Sequence, residues 1–354
     1  MTAEQTKVIK QPMCMAQAGA ASSASPSVDL GPMPEWDLTD LYPSPDSPEV
    51  ERDFAAAAAQ AKRFKQTYQG QLVAMGRDGA KLAQAVKEYE QLADLMGRLG
   101  SYAGLLYAAD QSDPARAKFY GDTSERLTNI SNDLIFFELE LNKIEDADLA
   151  EALKHPDLAR YKPWFDDLRK EKPHQLDEQL EQLFHEKAQT SRGAWNRLFN
   201  ETMAALRFPV EGEPEPLPLE PTLNLLSHAD EGRRRAAAEA LAKVFKENLR
   251  LFTLITNTLA KDKEISDRWR KFKDVADSRH LANRVEGPVV DAMVSAVRAS
   301  YPKLSHRYYK LKARWLGKDR LAHWDRNAPL PEKPERIVPW PEAQEIVLKA
   351  YRDF

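Results

Sequence analysis

The sequence predicts a mainly α protein built from long antiparallel helices. Three observations predict it. Glycine is scarce, at 14 of 354 residues. Apolar residues recur at spacings of three and four over long stretches, the period that gathers side chains on one helical face. Proline, serine and aspartate stand where helices start, and glycine where they stop.

The first helix opens at Ser47-Pro48-Glu49, with serine at the cap, proline at the first turn and an acid at the positive end of the dipole. It runs to Gln69, with Gly70 as the stop, and carries Phe54, Ala58, Ala61, Phe64 and Tyr68 on one face. A second segment spans about Asp78 to Asp110, with Leu82, Val86, Tyr89, Leu92, Leu95, Met96 and Leu99 as its stripe. Asp113-Pro114 opens a third, which continues through Leu127, Ile130, Leu134, Phe137 and Leu141. Helices of this kind are not stable singly in water, so residues 46–145 must bury their stripes against one another as a bundle. Shorter helices follow to residue 208, interrupted by Pro156, Pro163 and Pro173.

The pattern changes between Pro209 and Pro221, which holds five prolines and four glutamates. Residues 206–219 read as a short edge hairpin or as a plain linker. Beyond it Asp230 caps a very long helix to about Trp269 through Leu241, Val244, Phe245, Leu249, Phe252, Ile255 and Leu259. Gly287-Pro288 opens a helix carrying Val290, Met293, Val294 and Val297, and another begins near Pro302 and stops at Gly317. Residues 321–328 read as a short strand. Residues 329–341 hold five prolines and read as loop, and a last helix starts at Trp340-Pro341-Glu342. Residues 1–34 read as a flexible tail.

Composition excludes several classes. Lys plus Arg is 51 against 55 Asp plus Glu, a net charge of -4, which argues against a nucleic-acid partner. A single cysteine, Cys14, excludes an intramolecular disulfide and a Cys-rich zinc module. No run approaches the ~20 apolar residues of a membrane span, so no membrane partner is expected. Residues 1–34 lack the apolar core of a secretory signal, and Glu4 with the absence of arginine argues against a transit peptide. The expected location is the cytoplasm.

Chemical motifs are sparse in the sequence. The seven histidines are His155, His174, His185, His228, His280, His306 and His323, and no two stand three or four apart. His185-Glu186 would need a histidine at 189 to complete a helical zinc motif, and Gln189 stands there. This pair reads as an exposed histidine beside a glutamate. No nucleophile elbow or phosphate-binding glycine loop occurs. Gly97, Gly100 and Gly104 read as close helix packing. Glu138, Glu140 and Glu145, and Glu211, Glu213 and Glu215, read as solvated acids. Lys303 to Arg320 is basic, with Tyr308, Tyr309 and Trp315 interleaved; it reads as one helix with aromatics inward and cations outward, against the alternative of an RNA surface. No catalytic, cofactor-binding or metal-ligating residue is assigned.

Several blocks carry a resemblance. They are PEWDLTDLYPS at Pro34–Ser44, RFPVEGE at Arg207–Glu213, TLITNTLAKDKEISDRWRKF at Thr253–Phe272, SRHLANRVEGPVVDAMV at Ser278–Val294, and HRYYKLKARWLGKDRLAHWDRNAPLP at His306–Pro331. Together they resemble the oligoendopeptidase F family of thimet-oligopeptidase-like zinc metallopeptidases, over about residues 34–354. The resemblance implies an N-terminal helical oligopeptidase domain at 35–208, a connection at 209–221, and the opening, incomplete part of a zincin-like helical catalytic domain at 222–354. It implies a zinc-dependent endopeptidase acting on short peptides in an enclosed channel. The family's His-Glu-x-x-His motif is absent from the 354 residues. The expectation is therefore a truncated peptidase, with zinc in the full-length family, none in this chain, and no hydrolysis by the chain alone. The alternative is a non-enzymatic helical interaction protein on a peptidase-like scaffold.

Overall fold

The computed structural model describes residues 36–330 and 337–354. The flexible tail expected at 1–34 lies outside the described residues, as does part of the proline-rich loop, at 331–336. Trp36–Lys333 forms one compact unit.

The unit begins with the expected bundle. Helix α1 is Pro48–Tyr68, α2 is Gly79–Ala109, α3 is Pro114–Asn132 and α4 is Ile135–Leu141. Asp78 and Asp113 cap α2 and α3 by accepting from Lys81 N and from Ala115 N. Gly70 has a positive φ of 78°, the left-handed conformation that ends α1 without a Cβ penalty. Ser47 occupies the cap position of α1, but its hydroxyl makes no cap bond.

The third expected helix is broken in two. At Asp133 and Leu134 the chain leaves α3 and restarts as α4, and the Asp133 carboxylate is taken by Lys65 of α1 at 2.9 Å. The break re-aims Phe136 and Phe137 into the core. There they meet Phe64, with ring centroids at 5.9 and 5.0 Å, while Phe137 also lies 4.6 Å from Tyr89. Val50, Phe54, Ala61, Leu82, Val86 and Leu99 complete the buried seam between α1 and α2.

Short helices close this core: α5 (Asp146–Ala152), α6 (Pro156–Ala159) and α7 (Lys162–Glu171). Pro156 and Pro163 stand at the starts of α6 and α7, where a missing N–H costs nothing. A 3₁₀ turn, Lys172–His174, leads to α8 (Glu178–Lys187), and a π turn at Gln189–Gly193 leads to α9 (Ala194–Ala205). Gly97 and Gly104 correct the sequence reading. A Cβ at either would meet nothing within 4 Å, so neither marks close packing; at Gly100 it would lie 3.3 Å from Leu127.

The 206–219 segment forms a minimal hairpin: one antiparallel bridge, Phe208 to Leu217, with bonds of 2.8 and 2.9 Å. Phe208 and Val210 start a second core with Ala237, Ala240, Leu241 and Val244. Helix α10 (Leu219–Leu225) follows. The very long helix expected from Asp230 is two helices, α11 (Glu231–Glu247) and α12 (Leu249–Trp269). They part at Asn248, whose side-chain amide donates to Val244 O at 2.9 Å and competes with the helix ladder. Asp230 caps α11 as expected.

Helices α13 (Asp277–Ala282), α14 (Gly287–Ser300) and α15 (Ser305–Trp315) complete the unit. Met293, Val294 and Val297 of α14 are exposed. On α15 the sequence expectation holds for most cations, since Arg307, Lys310 and Arg314 are exposed, but not for the aromatics or for Lys312. Tyr308, Tyr309 and Trp315 are exposed, while Lys312 is buried and donates to Arg326 O at 2.7 Å. The strand expected at 321–328 is absent as well; His323–Asp325 is a 3₁₀ turn, pinned because the buried Asp325 carboxylate accepts from Ala322 N at 2.9 Å. Outside this unit, Trp340–Asp353 forms the expected last helix, α16.

Candidate functional site

A cavity of about 600 Å³ opens where α2, α4, α7, α8, α12 and α13 converge. Its apolar wall includes Met96 of α2, Leu134 at the start of α4, Ile135 and Leu139 on α4, and Leu281 on α13. Its polar groups come from five segments that sequence reading treated separately. A second depression of about 1060 Å³ lies over α3, α8 and α9 and is lined mainly by polar side chains.

Glu138 stands in the apolar run of α4 because a seven-residue helix with both Phe136 and Phe137 inward must turn its next turn toward this cavity. Among the described residues its hydrogen-bond donor is Tyr89, at 3.3 Å. Burial first, then the like charge of Glu171, pushes the Glu138 carboxyl above its usual range. Burial, with the charge of Glu138 added, also drives the Tyr89 phenol upward. Glu171, the last residue of α7, is raised by burial and by Asp167.

Glu181 behaves oppositely. Burial would raise it, but Arg270 outweighs burial and holds it low. Arg270 grips it as a fork, Nη1 to Oε1 at 2.8 Å and Nη2 to Oε2 at 2.7 Å. Glu181 also accepts from Leu176 N at 2.9 Å, so the acid organises the turn before α8.

Two histidines complete the site. His174 Nδ1 lies 2.8 Å from the carbonyl of Arg270. A carbonyl only accepts, so Nδ1 carries the proton there. Its ring stacks on Phe272 at 4.0 Å. His185 Nε2 lies 2.7 Å from Ser131 Oγ. Ser131 donates its single proton to Thr128 O, so His185 donates to the hydroxyl. His185 is therefore half-buried and engaged, not the exposed residue the sequence suggested; Glu186 beside it accepts from Asn132 at 2.8 Å.

The wall formed by Phe272, Ser278 and Leu281 belongs to a segment with a left-handed residue near each end, Lys271 at φ 61° and Arg284 at φ 54°. Arg284 pairs with Asp167 at 3.0 Å, and Lys263 reaches Ser278 at 2.9 Å. Non-glycine residues in this conformation are uncommon and persist where surrounding contacts hold them.

The residues present do not fit a zinc ion. Among the described residues, no three His, Cys, Asp or Glu side chains come together in a way that would hold a metal. The two cavity histidines spend one nitrogen each on protein partners, and Glu181 spends both oxygens on Arg270. No chemical step through a metal is derived from this chain.

The helical layers have the fold of a solved oligoendopeptidase. Residues 140–208, which include Glu171, His174, Glu181 and His185, match the family model described as Oligopeptidase F. The chain is 24% identical over 303 residues to the group B oligopeptidase PepB of Streptococcus agalactiae, covering 84% of this chain and 49% of that protein. It is 24% identical over 325 residues to the oligopeptidase PepF of Bacillus subtilis, covering 89% and 47%. The crystal structure of oligoendopeptidase-F from Enterococcus faecium superposes with a TM-score of 0.71 at 22% identity, covering 86% of this chain and 57% of that one. The chain is thus similar to proteins of the oligoendopeptidase F family over most of its length. It spans about half the length of the curated relatives it matches.

Proposed function

We propose that these residues form the peptide-enclosing half of a zinc-dependent metalloendopeptidase that hydrolyses short peptides. The observation that carries the reading is the match to two oligopeptidases over 84% and 89% of this chain, with half of each relative left unmatched. The metal and its catalytic base would come from sequence equivalent to that other half. In this reading residues 35–208 are the N-terminal helical domain, 209–221 the connection, and 222–354 the opening of the catalytic domain. The cavity around Glu138 and Arg270 contacts substrate. An enclosed site admits extended peptides and rejects folded proteins on size. No helix among the described residues is long and apolar enough to cross a membrane.

Internally quenched short peptides test this. They are incubated with the 354-residue chain and, separately, with the native polypeptide purified from its own cells. The native polypeptide should cleave them, lose activity with a strong chelator and regain it with zinc, while the chain alone cleaves nothing. A native polypeptide that leaves the peptides intact, or cleaves them despite the chelator, would overturn the reading.

A further inference from the structure

We propose that the cavity between α4, α7 and α13 is a subsite for the long cationic side chain, arginine or lysine, of a bound peptide. Its apolar wall takes the methylene stem, and Glu138 and Glu171 take the charge. The assignment deepens the peptidase reading and rests on it for the statement that the ligand is a peptide.

Shape and charge carry the argument. At about 600 Å³ the cavity falls inside the range of small-ligand pockets, ~300–1,000 Å³, so it holds a few side chains and not a folded partner. Three carboxylates line it against one guanidinium. That guanidinium is already consumed, because both of its terminal nitrogens are committed to Glu181. The negative charge left over sits on Glu138 and Glu171. Glu138 receives one long bond from Tyr89 in an apolar wall. A carboxylate so placed lacks the hydration it would have in water and gains most from a cation that arrives with donors of its own.

The alternatives fare worse on the same observations. An acidic side chain would meet three carboxylates. An apolar one would strip remaining water from Glu138 and return nothing. A compact cation such as a metal ion finds no triad of ligands among the described residues. A side chain with an apolar stem and a cationic head matches both halves of the lining.

Binding is measured by isothermal titration calorimetry on the 354-residue chain, with a short peptide carrying one arginine and the same peptide carrying citrulline. Citrulline keeps the shape and removes the charge. The arginine peptide should bind about tenfold tighter or more, the worth of one hydrogen bond to a charged group. Glu138→Gln and Glu171→Gln should each shrink that preference. Thermal unfolding of both variants should match or exceed the parent, which separates a lost contact from a lost fold. Equal affinity for the two peptides, or an undiminished preference in both variants, would overturn the proposal. Spermidine is titrated in the same way; tighter binding of spermidine than of the arginine peptide would also overturn the assignment to a peptide side chain. Hydrolysis is read separately, on the native polypeptide. Cleavage there without any arginine preference sinks the subsite and leaves the peptidase standing. An arginine preference without cleavage does the reverse.

Discussion

The guanidinium of Arg234 meets the carboxylate of Asp325 at 2.9 Å, with side chains 3% and 0% exposed and the two residues 91 positions apart in the chain. The pair ties α11 to the turn that follows α15. Lys318 adds a second bond to the same carboxylate at 2.7 Å, and Arg234 donates also to the carbonyls of His228 and Ala229. A buried charge pair adds little over an apolar one, but a broken pair leaves an uncompensated charge.

Asp325→Ala should therefore cost about 3–5 kcal/mol in denaturant unfolding, whereas replacing Arg234 by Met and Asp325 by Leu together should cost less than the single change. A double variant less stable than Asp325→Ala would contradict this account.

The same carboxylate predicts an acid limb. Burial opposes ionisation, but Lys318 and Arg234 outweigh it and lower the Asp325 pKa below its ordinary 3.8. The native state then binds fewer protons than the unfolded chain in that range. Its contribution is fully present above pH 3.8 and is lost as pH falls through the depressed value. Melting temperature against pH should show this loss in the parent and not in Asp325→Asn.

Glu138 should act with the opposite sign. Its native carboxyl is raised by burial and by Glu171 above the ordinary 4.5, so the native state holds a proton that the unfolded chain has released. Stability should fall as pH rises from 4.5 through the raised value. Glu138→Gln should melt higher than the parent at neutral pH and equally near pH 4. Tyr89→Phe should widen the falling window, because the phenol's bond lowers the carboxyl. Parallel curves for parent and Glu138→Gln would refute this.

Glycine substitutions should divide by position. At Gly79 a Cβ would lie 2.3 Å from the carbonyl oxygen of Ala152, backbone that cannot swing away, so Gly79→Ala should destabilise. At Gly97 a Cβ meets nothing within 4 Å, so Gly97→Ala should stabilise α2 by roughly 0.5–1 kcal/mol. Chemical unfolding of the two variants side by side checks the contrast.

The core should respond at Phe137 and not on α14. Phe137 is fully buried among Phe64, Tyr89 and Trp164, and Phe137→Ala should cost ~3–5 kcal/mol. Met293 is 58% exposed, and Met293→Ser should stay within about 0.5 kcal/mol.

The cavity was hidden from sequence reading by distance along the chain. His174 and Arg270, which bond to each other, are 96 residues apart. One signal was present: Glu138 interrupts the apolar run Ile135–Leu141, and an acid on a helix whose neighbours are all inward has little room to reach water. Reading Glu138 and Glu140 as solvated acids missed it; Glu140 is buried and accepts from Gly70 N at 2.7 Å.

Sequence by itself determined the helical class, the caps at Asp78, Asp113 and Asp230, the stop at Gly70 and the seam from Phe54 to Tyr68, because these depend on spacing and on bonds within a few residues. Only the tertiary structure decided the break at Asp133 and the turn at His323–Asp325. They answer to Lys65 and to a buried ion network. It also decided that Lys312 is buried beneath exposed tyrosines. Those outcomes turn on which charges find partners across the fold, and a linear pattern of apolar and polar residues carries no record of such pairs.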